Sequence, residues 1–321
     1  MPFEKYENAS QATRWPVSKA MKQLVVVGTV AIDQVKTPFG ERDRVFGGSA
    51  SYFSYAASFF TPVALVAVVG RDFPPDYRKV LEEKAIDLSH LEVSDGKTFF
   101  WRGEYGNDLN TAHTLETQLN VLMDFNPRLK FETLPDFLFL ANMDPALQLS
   151  VLDQVKGAKL KYVACDTMNF WIENKREDLL RVLKRVHCVV LNDGEARQLT
   201  GESNLIRAAA KMREMGPNHI VIKKGEHGAL VFFEGHFFAL PAYPLESVFD
   251  PTGAGDSFAG GLMGCLAAAG EVSLETMKSA VAMGSIVASF TVEDFGLERL
   301  RRLARAELDE RLEIFRRVCS F

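Results

Sequence analysis

A glycine-rich segment near the carboxyl end, residues 250–261, has the residue types that phosphate chemistry needs. Gly253 and Gly255 carry no side chain, so a bulky anion can approach the backbone amides around Ala254. The segment opens a predicted helix, whose first amides lack partners and whose dipole is positive at that end. The sequence therefore predicts an anion hole built from backbone amides.

Asp256 lies inside this predicted anion hole, where a carboxylate would repel a phosphate. A general base that takes the proton from an attacking hydroxyl is the best reason for an acid at this position. The alternative is structural: Asp256 caps a glycine-rich helix, and Gly260 and Gly261 allow close helix packing. Because a cap does not need both preceding glycines, catalysis is the favoured interpretation.

Two other phosphate-binding motifs fail at specific positions. A Walker loop ending at 96–98 would need a glycine where Leu91 stands. A dinucleotide fingerprint starting at Gly253 would need its third glycine where Phe258 stands, and it belongs in an early strand–helix–strand unit. Neither motif explains the segment.

The elements that must position these residues alternate along the chain. Short apolar runs are typical of buried strands in a parallel sheet, and the segments between them have helical patterns. This alternation predicts an α/β fold with a doubly wound, mostly parallel sheet flanked by helices. The predicted strands are 24–27, 63–69, 137–140, 162–165, 188–191 and 219–222, and the predicted helices are 49–60, 74–84, 145–155, 174–185, 193–199, 204–215 and most of 254–317.

Two segments, about 33–46 and 97–118, interrupt this alternation with β-hairpin composition and have no helices of their own. They predict a small β-sheet that stands off the main domain as a lid. The alternation of side chains along a strand places Phe99 and Trp101 on one face of the lid and Phe100 on the other. The aromatic residues either contact the substrate, with Trp101 as the candidate, or form a lid core or an interface between two lids.

The composition is that of a folded globular protein, with 47% hydrophobic and 25% charged residues, which excludes a disordered chain. The net charge of −5 argues against a nucleic-acid partner. The longest apolar run, 63–69, is too short for a membrane span, and the amino terminus lacks the apolar region of a secretory signal. The four cysteines form no C-x-x-C pair. We therefore expect reduced thiols and a cytoplasmic protein.

The 250–261 segment resembles the carboxyl-terminal signature of the ribokinase-like (PfkB) carbohydrate and nucleoside kinases. Four further motifs resemble those of the family in the same order, and together they cover about residues 22–300. They are the first strand with its substrate-binding acid (28–33, ending at Asp33), the di-glycine Gly47-Gly48, the N-x-x-E motif from Asn192 to Glu195, and the nucleotide-binding turn at 223–228.

This resemblance implies an ATP- and Mg²⁺-dependent kinase, with residues 1–20 as an amino-terminal tail and 21–321 as the ribokinase-like domain. Asp256 would be the general base, and the amides from Gly253 to Asp256 would stabilise the transferring phosphoryl group. Asn192 and Glu195 would position Mg²⁺ through water, because Mg²⁺ sheds its waters reluctantly. The alternative for this pair is a capping box at a helix start.

The resemblance also assigns the nucleotide side of the site. Lys223 or Lys224 would reach the nucleotide phosphates, although either alone is also typical of a solvated charge at a strand end. Gly225 and Gly228 would form the turn beside the nucleotide, and Thr252 would contact it too. Family members often bind K⁺ through carbonyl oxygens near the segment that matches 250–252, so K⁺ is a further candidate cofactor.

On the substrate side, the resemblance implies contacts from Asp33, Gly47, Gly48 and Asn169. Tyr52 stands where many family members carry a substrate-binding Asn. The segment 166–171 lacks the Arg that many sugar and sugar-acid kinases of the family have, which argues against a carboxylate-bearing substrate.

These residues predict phosphorylation of a hydroxyl of a neutral sugar, polyol or nucleoside, a small-molecule substrate. One alternative is a vitamin kinase of the same fold, acting on hydroxymethyl-pyrimidine or pyridoxal-like alcohols, although that branch generally lacks the lid. The other is a non-catalytic ligand-binding relative. Some family members pair through their lids, so a homodimer of this kind is a further expectation.

Overall fold

The computed structural model describes residues 24–84, 86–132 and 134–320. The predicted tail, 1–20, and the first residues of the predicted domain lie outside these ranges. The strands are β1 (Leu24–Val27), β2 (Ala31–Thr37), β3 (Gly40–Gly47), β4 (Val63–Gly70), β5 (Leu91–Ser94), β6 (Phe99–Tyr105), β7 (Ala112–Gln118), β8 (Phe137–Leu140), β9 (Tyr162–Asp166), β10 (Cys188–Asn192), β11 (His219–Lys223), β12 (Ala229–Phe233) and β13 (His236–Leu240).

The α-helices cover both faces of the larger sheet. They are α1 (Ser49–Ala57), α2 (Pro75–Glu82), α3 (Pro145–Gln154), α4 (Asn169–Asn174), α5 (Arg176–Leu183), α6 (Asp193–Thr200), α7 (Leu205–Met215), α8 (Ala254–Ala269), α9 (Leu274–Thr291), α10 (Glu298–Arg301) and α11 (Arg305–Cys319). In the ranges that the structure describes, none of them is long and apolar enough to cross a membrane.

The larger sheet has nine strands in the order β13-β12-β11-β10-β9-β8-β1-β4-β5. The strands from β11 to β5 are parallel, and β12 and β13 continue the sheet antiparallel at one edge. All six predicted strands are present, and the predicted doubly wound, mostly parallel α/β fold is confirmed. Leu24 and Val26 of β1 pack into one core beside α1 and α8, whereas Val25 and Val27 pack into the other, because alternate side chains face opposite sides of a strand.

The second sheet has the order β3-β2-β6-β7 and corresponds to the predicted lid. Strands β2 and β3 extend slightly beyond the predicted segment 33–46, and β6 begins two residues after the start of the predicted segment 97–118. Strand β2 is parallel to β6, and Asp33 pairs directly with Trp101. Residues at directly paired positions share a face, so these two side chains lie on the same face of the lid sheet. Strand β7 is an edge of this sheet and is largely exposed, and the lid-to-lid dimer stays a prediction.

Two features differ from the predicted elements. The helix predicted over 174–185 is present as α5, but a short helix that was not predicted, α4, precedes it, and the two meet at Lys175 in a non-helical conformation (φ −135°, ψ 32°). Strands β5, β12 and β13 were not predicted. Strands β5 and β13 are the two edges of the sheet and are partly exposed, whereas β12 is an inner, wholly apolar strand that the alternation of strands and helices did not include, because it follows β11 through a turn rather than an α-helix.

Helix α8 lies between α1 and α9 at very short range. A Cβ atom added to Gly260 would lie 2.4 Å from the carbonyl oxygen of Phe53 in α1, and one added to Gly261 would lie 3.0 Å from the Cα of Gly284 in α9. Close helix packing therefore explains Gly260 and Gly261, as the structural interpretation of the glycine-rich segment predicted. The first turn of the helix has other neighbours, because a Cβ at Gly253 would overlap the ring of Tyr52 and one at Gly255 would lie 2.7 Å from Nζ of Lys223.

His219 is the first residue of β11, at the opposite end of the strand from Lys223, and it lies in a buried aromatic cluster. Its side chain is only 6% exposed, its Nδ1 lies 2.8 Å from the hydroxyl of Tyr162, and its ring stacks on Phe233. Burial, assisted by the nearby His187, lowers the pKa of His219 from 6.5 to about 4. The folded state therefore disfavours the protonated ring.

We predict that this histidine makes the protein less stable in acid. The unfolded chain binds a proton at His219 below about pH 6.5, but the folded chain binds it only near pH 4, so stability present above pH 6.5 is lost as the pH falls. The loss reaches about 3 kcal/mol across this window. Urea unfolding of wild type and His219→Gln at about pH 7 and about pH 4.5 measures it. The variant is expected to lose less stability than wild type, and His236→Gln, at an exposed histidine, is expected to match wild type. An equal loss in wild type and His219→Gln would contradict the assignment.

Candidate active site

Three neighbouring parallel strands bring polar side chains to one edge of the larger sheet. Asp166 ends β9, Asn192 ends β10 and Lys223 ends β11. Ligands in open α/β sheets bind at this carboxyl edge, where no further strand residue covers the backbone. The amino terminus of α8 lies at the same edge, because Lys223 contacts Gly255 there.

Gly253 occupies the cap position of α8 in the left-handed conformation, with φ +74°. A Cβ atom at Gly253 would lie 2.4 Å from ring atoms of Tyr52, so neither its backbone conformation nor its surroundings accept a side chain. The amide of Ala254 donates to the carbonyl oxygen of Pro251 (3.2 Å). The amides of Gly253, Gly255 and Asp256 form no hydrogen bond within 24–84, 86–132 and 134–320, so they are available to an anion.

Asp256 is the acid of this anion hole and is half-buried in the first turn of α8. Burial is the main reason that its pKa is raised well above the usual value, and the charge of Asp166 raises it further. The nearby ammonium of Lys223 acts in the opposite direction. A carboxylate with a raised pKa is a stronger base, which suits it to accept a proton from a hydroxyl.

Lys223 places a cation over the anion hole. Its Nζ lies 3.7 Å from Oδ2 of Asp166, and it lies 2.7 Å from where a Cβ of Gly255 would be. Burial lowers the pKa of Lys223, but the charges of Asp166, Glu195 and Asp256 outweigh this and raise it. The ammonium therefore stays protonated, and a phosphate on the hole would meet a positive charge.

Asn192 and Glu195 form a capping box at the start of α6. Asn192 Oδ1 accepts from the Glu195 amide, and Glu195 Oε2 accepts from the Asn192 amide, both at 2.7 Å. Burial and then the charge of Asp166 raise the pKa of Glu195 to about 7, although Lys223 lowers it. The capping box that was the alternative interpretation of this motif is therefore present. It does not exclude a metal role, because each carboxylate or amide oxygen has a second lone pair.

The oxygen donors near Lys223 have the chemistry that Mg²⁺ prefers. Asp166 and Glu195 supply carboxylates, and Asn192 supplies an amide oxygen. Over the described ranges, no group of three or more His, Cys, Asp or Glu side chains is arranged to hold a metal ion.

Asp33 explains Gly47 of the di-glycine motif, whereas Gly48 is required by its own backbone (φ +95°) and by the carbonyl oxygen of Thr29, 2.5 Å from where its Cβ would lie. Asp33 is only 4% exposed and accepts a hydrogen bond from the backbone amide of Gly48, and a Cβ at Gly47 would lie 1.8 Å from its Oδ2. Burial and then the charge of Asp250 raise its pKa to about 8. This buried acid on the inner face of the lid sheet can accept or donate a hydrogen bond with a substrate hydroxyl.

Tyr52 lies between the substrate side and the anion hole. Its side chain is 1% exposed, its ring contacts Gly253, and its hydroxyl has no hydrogen-bond partner in the part of the chain that the structure describes. An unpaired buried hydroxyl is costly unless a ligand or water completes it. Tyr52 therefore supports the loop of the anion hole and has a free polar atom beside it.

Trp101 and Asn169 have different surroundings. Trp101 faces the same side of the lid as Asp33, its ring covers Gly103, and its Nε1 donates to Thr114 Oγ1 (3.1 Å). Asn169 is exposed at the start of α4, and its Oδ1 accepts from the amide of Phe170. The structure thus gives Asn169 a local role, and it places Trp101 on the face of the site.

The turn after β11 has the backbone that the nucleotide motif requires. Gly225 and Gly228 have φ +52° and +82°, and the carbonyl oxygen of Gly228 accepts from the amide of Lys224 (2.7 Å). A Cβ at Gly228 would lie 2.0 Å from the carbonyl oxygen of Leu240, so β13 packs against this turn. Both glycines are therefore needed for the turn itself.

Sequence reasoning missed four residues that the structure brings to the site. Asp166 pairs with Lys223, and Asp250 accepts from the amides of Thr252 (2.9 Å) and Gly296 (3.1 Å). The other two are Tyr105, whose hydroxyl reaches Thr252, and Asn142, whose Oδ1 accepts from Trp171 Nε1. Asp166 had a signal, because an acid directly after a buried strand lies at the ligand-binding edge. Asp250 had one too, because it begins the glycine-rich segment and Thr252 follows two residues later, whereas the partners of Tyr105 and Asn142 are distant in the sequence.

The fold and site together define a kinase that uses ATP to phosphorylate an alcohol. Residues 21–300 match the family described as pfkB family carbohydrate kinase, and the chain belongs to that family. It is 34% identical over 250 residues to a cytidine kinase of Thermococcus kodakarensis, which covers 76% of this chain and 88% of that protein. It is also 25% identical to a nucleoside kinase of Methanothermobacter thermautotrophicus, over 86% of this chain and 91% of the relative.

Two solved structures share the fold. The nucleoside kinase of Methanocaldococcus jannaschii has a TM-score of 0.73 at 21% identity, over 92% of this chain and 99% of that one. The nucleoside kinase of Burkholderia thailandensis, in complex with inosine, has a TM-score of 0.73 at 21% identity, over 91% and 96%. The predicted family and fold are confirmed, and the chain is an ATP-dependent kinase.

Proposed function

We propose that this protein phosphorylates a ribose hydroxyl of a nucleoside, with Mg-ATP as the donor and a pyrimidine nucleoside such as cytidine as the preferred acceptor. The observation that carries the proposal is the pairing of Asp33 with Trp101 on the inner face of the lid sheet. A buried acid next to an indole ring suits a molecule that has both sugar hydroxyls and a flat base. The similarity to a cytidine kinase over most of its length supports the same substrate class.

In the proposed reaction, the substrate hydroxyl oxygen bonds to the γ-phosphorus as the bond to the bridging oxygen of ADP breaks. Asp256 accepts the hydroxyl proton, and the available amides of Gly253 and Gly255 stabilise charge on the transferring group. Lys223, held by Asp166, places its ammonium against the same phosphoryl oxygens. The products are a nucleoside monophosphate and ADP.

The chemistry that a bound Mg²⁺ would supply is neutralisation of phosphate charge during transfer. Asn192 and Glu195, with Asp166 beside them, are the residues that would hold it, directly or through water. Asp250 uses both carboxylate oxygens to bind the amides of Thr252 and Gly296. It thereby fixes the 250–252 loop, where the family resemblance implies K⁺.

ADP release with Mg-ATP tests the proposal against a panel of nucleosides, pentoses, hexoses and inositols. We expect nucleosides, with cytidine first, to give a kcat/KM about tenfold or more above any free sugar or polyol. Trp101→Leu should raise KM for the nucleoside, whereas Phe100→Leu, on the opposite lid face, is the matched control and should not.

The remaining outcomes separate the alternatives. Preference for a sugar or polyol would overturn the nucleoside assignment and leave Asp33 as the main specificity residue. Preference for a pyridoxal-like alcohol would support the vitamin-kinase alternative. ATP binding without turnover on any acceptor would support a non-catalytic relative.

A further inference from the structure

We propose that Tyr105 is a positioning residue that ties the lid sheet to the anion hole, so that nucleotide binding and the position of the lid are coupled. This inference rests on the proposed function, because it concerns how the same site is completed. It adds a role for a residue that lies on the lid, on strand β6, rather than on the nucleotide side.

The first step is the contact between Tyr105 and Thr252. Their hydroxyl oxygens lie 3.2 Å apart across 147 residues of sequence. Tyr105 lies two positions along from Gly103 and four from Trp101, so its side chain is on the same lid face as Asp33. The hydroxyl therefore reaches from the inner face of the lid to the loop that precedes α8.

The second step follows this loop to the anion hole. Thr252 lies directly before Gly253, and its amide donates to Asp250 Oδ1 at 2.9 Å. Asp250 is fully buried and also accepts from the amide of Gly296, so its position is set by the domain core. Tyr105 thus contacts the hydroxyl of Thr252, the residue directly before the first available amide of the anion hole, that of Gly253.

The third step is an independent contact between the lid and the nucleotide-binding turn. Asn110, in the 106–111 loop between β6 and β7, places its Oδ1 2.4 Å from where a Cβ of Gly225 would be. The lid therefore contacts the nucleotide side at two separate places, the phosphate loop and the turn. A ligand that orders either place favours the same lid position, and by linkage the lid favours the ligand.

The tyrosine hydroxyl can be separated from its ring. Tyr105→Phe keeps the ring that fills the space and removes only the hydrogen bond to Thr252. We expect Kd for ADP to rise about five- to tenfold and kcat to fall about tenfold, while KM for the acceptor changes less than about threefold. Thr252→Val should produce a similar loss, and the double variant should lose little more than either single variant, since both remove one interaction.

Hydrogen exchange gives a readout that a purely structural tyrosine would not change. In wild type, ADP alone should slow exchange in 106–111, and this protection should be lost in Tyr105→Phe. Tyr243→Phe is the matched control, because the Tyr243 ring packs on Phe315 of α11 and not on the lid, and it should behave as wild type.

The outcomes distinguish this inference from the proposed function. If wild type neither binds ADP nor phosphorylates any acceptor, the proposed function fails. If wild type is active and Tyr105→Phe keeps its ADP affinity, kcat and ADP-dependent protection, the proposed function stands and the role of Tyr105 is wrong. Loss of protection and affinity in Tyr105→Phe, but not in Tyr243→Phe, supports the coupling.

Discussion

Replacing Asp256 with Asn is expected to lower kcat by about 10³- to 10⁴-fold while nucleotide affinity changes little. The amide cannot accept the hydroxyl proton, but it has nearly the same size and leaves the backbone amides of the anion hole in place. The half-buried site raises the pKa of Asp256, and this basicity is lost with the carboxylate. Steady-state ADP release with the best acceptor and calorimetric ADP binding measure the two effects.

Glu271→Gln is the matched control for this experiment, since Glu271 is an exposed acid beyond the other end of α8. It should keep the wild-type kcat. If Asp256→Asn retains wild-type turnover, Asp256 is not the base, and the helix-capping alternative becomes the better account. If ADP binding is also lost, the substitution has disturbed the anion hole, and a thermal unfolding measurement would reveal it.

Replacing Gly253 with Ala is expected to lower kcat by about 10²- to 10³-fold and to destabilise the fold by about 1–3 kcal/mol. The added Cβ would lie 2.4 Å from the ring of Tyr52, and φ +74° is unfavourable for any side chain. The loop must shift to relieve this overlap, which displaces the amides that stabilise the phosphoryl group. Turnover and urea unfolding measure the two effects separately.

Gly201→Ala separates backbone strain from damage to the site. Gly201 has φ +73° and nothing within 4 Å of an added Cβ, so the variant has the same backbone strain without the overlap. It should lose about 1 kcal/mol of stability and keep the wild-type kcat. Gly253→Ala with a wild-type kcat would contradict the anion hole, whatever its stability.

The local sequence predicted the fold well because its signals are local. A strand buried on both faces, such as Val63–Gly70, must be almost entirely apolar, and that run is visible without any partner strand. The edge strands were invisible for the opposite reason: His236–Leu240 is largely exposed, and its strand conformation depends on pairing with Ala229–Phe233.

The same distinction applies to the site. Gly253 and Asp256 are three residues apart, and so are Asn192 and Glu195. The spacing within each pair alone indicated an anion hole in the first case and a helix start in the second. The sequence also indicated close helix packing at Gly260 and Gly261, but not the partner, Phe53. The overlap of Gly253 with Tyr52 was not visible, because both partners belong to a distant segment.

The sequence by itself therefore determined the central strands, the helix that opens at Gly253 and the acid that follows it, because each depends on neighbouring residues and on hydrophobic burial. Only the tertiary structure decided which side chains are neighbours in the site. Lys223 lies beside Asp166, Asp33 lies beside Trp101, and Tyr105 contacts Thr252. These pairs come from separate strands and loops. Their distances, and the pKa changes that burial imposes, exist only once the chain has folded.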